Sequence, residues 1–164
     1  MCQRYLIALG SNKRHHRHGR PPQVLRAALR AMSDAGLTVE AVAPILASAP
    51  LGPSLRRYAN SAALVAAELD PKELLGLLKA IEQDFGRRSG GQRWSSRVLD
   101  LDLVLWSGGP WSSPGLTIPH AAFRERDFVL IPALGVAARW RDPVTNLSLR
   151  HLTARLTRRR PMPR

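Results

Sequence analysis

Val98-Leu99-Asp100-Leu101-Asp102-Leu103-Val104-Leu105 is the stretch on which the reading of this chain turns. Side chains alternate between faces along an extended strand. Asp100 and Asp102 therefore share one face, and Leu99, Leu101 and Leu103 the other. Two residues of strand rise set the attachment points of the carboxylates roughly 6–7 Å apart. Carboxylates so spaced can converge on one cation, or bracket two that lie about 3.5–4 Å apart. The alternative is a half-exposed strand whose acidic side faces water. Against it, the segment reads as a central, strongly apolar strand. Two like charges beside a core cost on the order of several kcal/mol unless a cation compensates. Hard oxygen ligands favour Mg²⁺ over zinc, and the sequence has no Cys/His cluster for zinc.

The residues before this strand carry the opposite charge. Arg87 to Arg97 (RRSGGQRWSSR) is basic, polar and glycine-bearing, and reads as a mobile loop. Guanidinium groups grip phosphate oxygens in bidentate fashion. Arginines beside a carboxylate-held cation make the set that phosphoryl transfer uses. Ser89-Gly90-Gly91 would let the loop close over a substrate, and Trp94 could cap a nucleotide by stacking. There is no glycine-lysine P-loop, so a nucleotide would be held in another way.

Outward from this centre, strands and helices alternate. Tyr5–Gly10 reads as a short buried strand, and Gln23–Ala35 as a helix stopped by Gly36. Leu37–Ala47 is strand-like, interrupted by Pro44, and Tyr58–Leu69 is a strand. Asp70-Pro71 opens a second helix, with Asp70 as N-cap and Pro71 at the first helical position. The spacing predicts a strand over Val98–Trp106 and a last helix over Phe128–Ala138. With 164 residues, no repeat and no linker, the chain is expected to form one domain, residues 1–164, an α+β sandwich ending in a basic tail from 153.

Composition narrows the classes. Hydrophobic residues at 45% and charged residues at 23% fit a globular protein. Cys2 is the only cysteine, so no internal disulfide can form, which is compatible with a cytoplasmic location. No stretch approaches the ~18–20 apolar residues of a membrane span, and Tyr5–Leu9 is too short for a signal-peptide core. The net charge of +13 points to an anionic partner or a basic tail. Much of it sits in two clusters, His15–Arg20 and Arg155–Arg164, both expected to be solvated.

At this point a family can be recognised. Arg93-Trp94 through Leu99-Asp100-Leu101-Asp102 resembles the R-W-G-x-R-x-L-D-L-D signature of the hydroxymethyldihydropterin pyrophosphokinases. The likeness extends to Ala8–Asn12, Pro50–Pro53, Tyr58-Ala59-Asn60, Ile81-Glu82 with Gly86-Arg87, Thr117–His120 and Glu125–Leu130, covering roughly residues 4 to 152. The resemblance implies a ferredoxin-like α+β fold, an antiparallel sheet with helices packed on it, and a monomer. It implies transfer of pyrophosphate from ATP to 6-hydroxymethyl-7,8-dihydropterin, releasing AMP. It implies two Mg²⁺ ions on Asp100 and Asp102, with Arg87 and Arg97 acting on the phosphates. Glu82, Arg93, Trp94, Thr117, His120 and Arg126 would serve ATP. Ser48, Leu51, Tyr58, Asn60 and Phe128 would serve the pterin, which the aromatic rings sandwich and Asn60 reads.

Three departures from the family pattern stand out. Ser95-Ser96 replaces the usual Gly-Pro, Ala121 stands where an aromatic residue is common, and Lys79 stands where glutamine is common. The basic insert at Lys13–Arg20 is unusual as well. Three rival readings remain. A nucleic-acid-binding module would use the charge but leaves the acidic pair unexplained, so nucleic acid is not the expected partner. A metal-dependent nuclease or phosphatase would use the carboxylates but yield other products. A silent relative would bind pterin only.

Overall fold

A computed structural model describes residues 1–48, 57–86 and 97–158. Strand β1 (Gln3–Ser11) leads into helix α1 (Pro21–Asp34), then β2 (Thr38–Val42), β3 (Leu46–Ser48) and β4 (Tyr58–Ala67). Helix α2 (Pro71–Asp84), β5 (Asp100–Trp106) and a hairpin of β6 (Trp111–Ser113) and β7 (Leu116–Ile118) follow. A single 3₁₀ turn (Phe123–Glu125) then precedes α3 (Asp127–Ala137) and α4 (Leu149–Thr157). The sheet runs β2-β4-β1-β5, antiparallel throughout, with β3 also paired to β4. This is the ferredoxin-like α+β arrangement expected.

The sheet is covered on both faces, which explains why β1 does not alternate. Tyr5, Ile7 and Leu9 pack under α1 and α2 with Val24, Leu25, Met32, Leu74 and Leu78. Leu6 and Ala8 face the other way, toward Phe123, Leu130 and Ala133 and, on α4, Leu149 and Leu152. A strand buried on both sides reads as an unbroken apolar run. Helix α2 starts as expected. Asp70 Oδ1 accepts from the Glu73 N–H and Glu73 Oε2 from the Asp70 N–H, both at 2.8 Å. Such a cap contributes about 1 kcal/mol. Helix α1 starts two residues earlier than expected, because Pro21 and Pro22 occupy first-turn positions whose N–H groups have no intrahelical partner anyway.

Several expectations are corrected. The stretch 37–47 is not one strand. It breaks at Pro44, while Ser61 Oγ holds the Ala43 carbonyl at 2.7 Å. Strand β5 starts at Asp100 and lies at the edge of the sheet, not at its centre. Its outer side is nonetheless occupied: the His120 N–H donates to the Val104 carbonyl at 3.1 Å, and Glu82 meets the Leu101 N–H. Helix α3 is not the last. Helix α4 follows it and buries Leu152 and Thr153, while 154–158 are exposed, as expected of the basic cluster there. The 13–20 insert is not simply solvated either. His15 is buried, stacked 4.6 Å from the His18 ring, which in turn stacks 4.8 Å from Phe85.

One ion pair ties the end of the chain to the segment that carries His120. Asp142, fully buried, takes bidentate bonds from Arg124 at 2.7 and 2.8 Å, and further bonds from Thr145 Oγ1 and the Val144 N–H. Burial pushes this carboxyl up, but the bonds from Arg124, Thr145 and Val144 outweigh it and hold the pKa at about 2. A depressed folded-state value contributes stability above the ordinary carboxylate pKa and loses it as pH falls toward 2. Asp142→Ala should cost about 1.5–3 kcal/mol, the worth of hydrogen bonds to a charged group, because Arg124 is half-buried and can still reach water. Urea unfolding at pH 7 checks this, and the gap between wild type and variant should shrink as pH drops from 4 toward 2.

Candidate active site

The register of the sheet assembles the site. Asp100 lies opposite Gly10, which lies opposite Asn60, which lies opposite Leu46. Two residues along, Asp102 lies opposite Ala8, and Ala8 opposite Ala62. These residues alternate onto one face, the face that α3 and α4 cover further along. Ala8, Gly10 and Ala62 make a floor of small side chains, and the longer polar groups stand around it. A Cβ placed on Gly10 would lie 3.4 Å from Asn60 Oδ1 and 3.9 Å from the Tyr58 ring, so both side chains lean over that glycine. The alternation of β5 holds as far as Leu103. Past Asp102 a bulge in the pairing with β1 leaves Val104 unmatched. Leu103 therefore stays on the α1/α2 side, while Val104 and Leu105 both turn to the other.

Four groups surround the floor. Asp100 and Asp102 are both half-buried. Arg97 Nη1 donates to Asp100 Oδ1 at 3.2 Å. His120 Nε2 lies 3.8 Å from Asp102 Oδ2. His120 Nδ1 accepts the Ala122 N–H at 3.3 Å, so in the neutral ring the proton sits on Nε2, the nitrogen that faces Asp102. Burial raises the Tyr58 pKa, with the Asp100 carboxylate adding to the rise and the Arg97 cation opposing it. The Tyr58 hydroxyl therefore stays protonated and lies within the field of both groups. Asn60 is buried beside it.

Glu82, near the end of α2, stands behind this face. It is buried, and its Oε1 accepts the Leu101 N–H at 2.7 Å. Leu101 sits between the two aspartates, so Glu82 fixes the backbone from which both project. Arg126 and Phe128 form a further group at the start of α3, the guanidinium 5.7 Å from the ring centre. Phe128 packs against the apolar cluster of that face. Thr117 is placed apart. It lines a cavity of about 490 Å³ with Trp111, Ala121 and Arg124, between the β6–β7 hairpin and the chain near Val144. Ser48 pairs with Tyr58 through the backbone. Leu51, Arg87, Arg93 and Trp94 lie outside the described residues, as do the Ser95-Ser96 departures. Lys79 is exposed on α2.

Sequence reading missed Asn12 and the small-residue floor. Gly10-Ser11-Asn12 carried a signal, but read alone it marks only a turn. Asn12 is in fact buried and bonded to Arg97 across the sheet edge. The pairing of β1 with β5 was needed to see it.

Among the described residues, no three His, Cys, Asp or Glu side chains cluster so as to hold a metal ion. Two carboxylates on one face fit Mg²⁺ in another way. This ion keeps several waters and is bound through one or two carboxylates plus substrate phosphates, without a full protein cage. Carboxylates, a guanidinium and an imidazole gathered on one sheet face of an α+β sandwich are the chemical set of a metal-assisted phosphoryl-transfer site.

Comparison with known proteins gives that class its family. The family model described as 7,8-dihydro-6-hydroxymethylpterin-pyrophosphokinase matches residues 6–138. The chain is 38% identical over 145 residues to the 2-amino-4-hydroxy-6-hydroxymethyldihydropteridine pyrophosphokinase of Pseudomonas aeruginosa, covering 87% of this chain and 86% of that one. It is 39% identical over 109 residues to the Synechocystis protein of the same name, and spans 55% of that protein's length. Against a folate synthesis bifunctional protein of Arabidopsis thaliana it is 37% identical over 128 residues, 25% of that protein. Among solved structures, Plasmodium falciparum HPPK-DHPS with pteroate superposes with a TM-score of 0.71 at 11% identity, over 94% of this chain and 42% of that one, a likeness of fold. The chain belongs to the 7,8-dihydro-6-hydroxymethylpterin-pyrophosphokinase family.

Glu82 offers a direct check on how the aspartates are held. Glu82→Ala leaves the Leu101 N–H without its acceptor and should cost about 1–3 kcal/mol in urea unfolding. Glu82→Gln keeps an acceptor oxygen and should recover most of that loss.

Proposed function

We propose that this chain transfers the terminal pyrophosphoryl group of ATP to the hydroxymethyl oxygen of 6-hydroxymethyl-7,8-dihydropterin, a step of folate synthesis carried out in the cytoplasm by a monomer. The hydroxyl gives its proton to water, a bond forms between the pterin oxygen and the β-phosphorus, the bond from β-phosphorus to the α-phosphate oxygen breaks, and AMP leaves. The observation that carries this reading is the pair Asp100 and Asp102 on one face, with Arg97 at 3.2 Å from the first and His120 at 3.8 Å from the second, in a chain of this family.

Two Mg²⁺ ions on Asp100 and Asp102 would neutralise the triphosphate and expose its β-phosphorus to attack. The chain's own groups do the rest. Arg97, tied to Asp100, would follow charge onto the transferring phosphates, a part the family resemblance also gives to Arg87. His120 holds a proton on Nε2 toward the phosphate side, and Arg126 adds a second cation near the start of α3. The family resemblance assigns Arg93, Trp94 and Thr117 to the nucleotide as well, and Glu82 steadies the strand that bears the aspartates. On the other side Tyr58 and Phe128 offer ring faces to the pterin. Asn60, leaning over Gly10, would present donor and acceptor to the pterin edge, to which the family resemblance also assigns Ser48 and Leu51. Gly10, partly exposed between Asn60 and Asp100, leaves room for a flat heterocycle beside the carboxylates.

Product analysis separates this reading from a phosphatase or nuclease. Mixing the chain with Mg²⁺, ATP and the reduced hydroxymethyl pterin should yield AMP and pterin diphosphate in equal amounts, and neither ADP nor inorganic phosphate. Asp100→Asn should lower turnover by roughly a hundredfold or more while the melting temperature holds or rises, since the change removes one of two like charges. Release of ADP or phosphate by wild type would refute the reading.

A further inference from the structure

Asn12 is a polar residue almost wholly out of solvent, 2% exposed, just past the end of β1. Its side-chain Oδ1 accepts the Arg97 N–H at 2.7 Å, and its own N–H donates to the Arg97 carbonyl at 3.0 Å. One residue thus holds both polar groups of the Arg97 backbone. The regular β1–β5 ladder stops at Gly10 opposite Asp100. Beyond it, the amide oxygen of Asn12 takes the place a strand carbonyl would have, and it secures the residue that precedes β5.

The same arginine reaches Asp100 with its side chain at 3.2 Å. Arg97 is therefore fixed at two points, its backbone by Asn12 and its guanidinium by Asp100. A long arginine side chain has many rotamers open to it. Anchoring its backbone limits where the guanidinium can go when Asp100 is engaged elsewhere. A misplacement of about 1 Å in a group that meets the transition state can cost on the order of a hundredfold in rate.

We propose that Asn12 is a positioning residue for the transfer step, acting through Arg97. Asn12 itself touches neither phosphate nor pterin. It clamps the arginine backbone so that the guanidinium stays over the phosphate side of the cleft as the Asp100 carboxylate turns to a cation. This inference rests on the pyrophosphokinase reading above and adds to it the device that sets the Arg97 geometry.

A double-mutant cycle on AMP release tests it. Asn12→Ala should lower kcat by roughly tenfold or more while the KM values for ATP and pterin move by less than about threefold. In an Arg97→Ala background, where there is no guanidinium left to place, the same Asn12 change should alter kcat by less than about twofold. Asn12→Asp, which keeps an oxygen at the same reach, should restore most of kcat. Where Asn12→Ala fails to fold, Asn12→Ser, one bond shorter, carries the same cycle. Equal losses in both backgrounds, or no loss in either, would overturn the role of Asn12 while leaving the enzyme reading intact. A wild-type chain that releases no AMP would overturn both.

Discussion

Two negative charges two residues apart on one face of a sheet must be held there against their own repulsion, and much of the site can be read as the means of doing so. Leu101, between them, packs into the core under α2, so it cannot slip without drawing both carboxylates off the face. Its N–H is held by the buried Glu82, and its strand is tied to β1 through the pairs Leu9–Leu101 and Ala8–Asp102. Arg97 balances one carboxylate and His120 stands by the other. Such a pair is costly until a cation arrives, and that cost favours ion binding. On the proposed reading, core packing keeps ready a site that a cation would complete.

How far the sequence foretold this follows from where each signal lives. The alternation at Asp100–Leu103 was legible because a strand side chain's face depends only on its parity along the chain. Asp70-Pro71 was legible because a cap is a local device. The face shared by Gly10, Asn60 and Asp100 was not, because it depends on the register of three strands far apart in the chain. The edge position of β5 was hidden for a related reason. The β6–β7 hairpin, His120 and Glu82 cover its outer side, so its residues are as apolar as those of a central strand. Helix α4 escaped notice because its arginines mask a buried stripe of Leu149, Leu152 and Thr153. Resemblance to the family, rather than spacing, drew His120, Arg126 and Phe128 to the site. Only the structure could bring in Asn12.

The large positive charge takes a particular form in the fold. The 13–20 insert, read as a solvated basic loop, closes on itself through paired backbone bonds between His15 and Gly19. His15 Nδ1 accepts the N–H groups of Arg17 and His18, which requires an unprotonated nitrogen at that position. Burial, and then repulsion from His16, His18 and Arg17, lowers its pKa to match. His15 therefore adds little charge to the insert at neutral pH, and its ring and that of His18 pack toward Phe85 at the end of α2. A strongly cationic surface around a cleft raises the local concentration of a polyanionic substrate. Under the proposed function, the +13 charge would favour the approach of the nucleotide.

The central claim is that Asp100 and Asp102 together recruit divalent ions once a triphosphate is present. Titration of Mn²⁺, followed by electron paramagnetic resonance, in the presence of a non-hydrolysable ATP analogue tests it most directly. Wild type should bind ions beyond those the free analogue takes. An Asp100→Asn, Asp102→Asn double variant with an unchanged melting profile should lose that excess. Undiminished ion binding by the folded double variant would contradict the account.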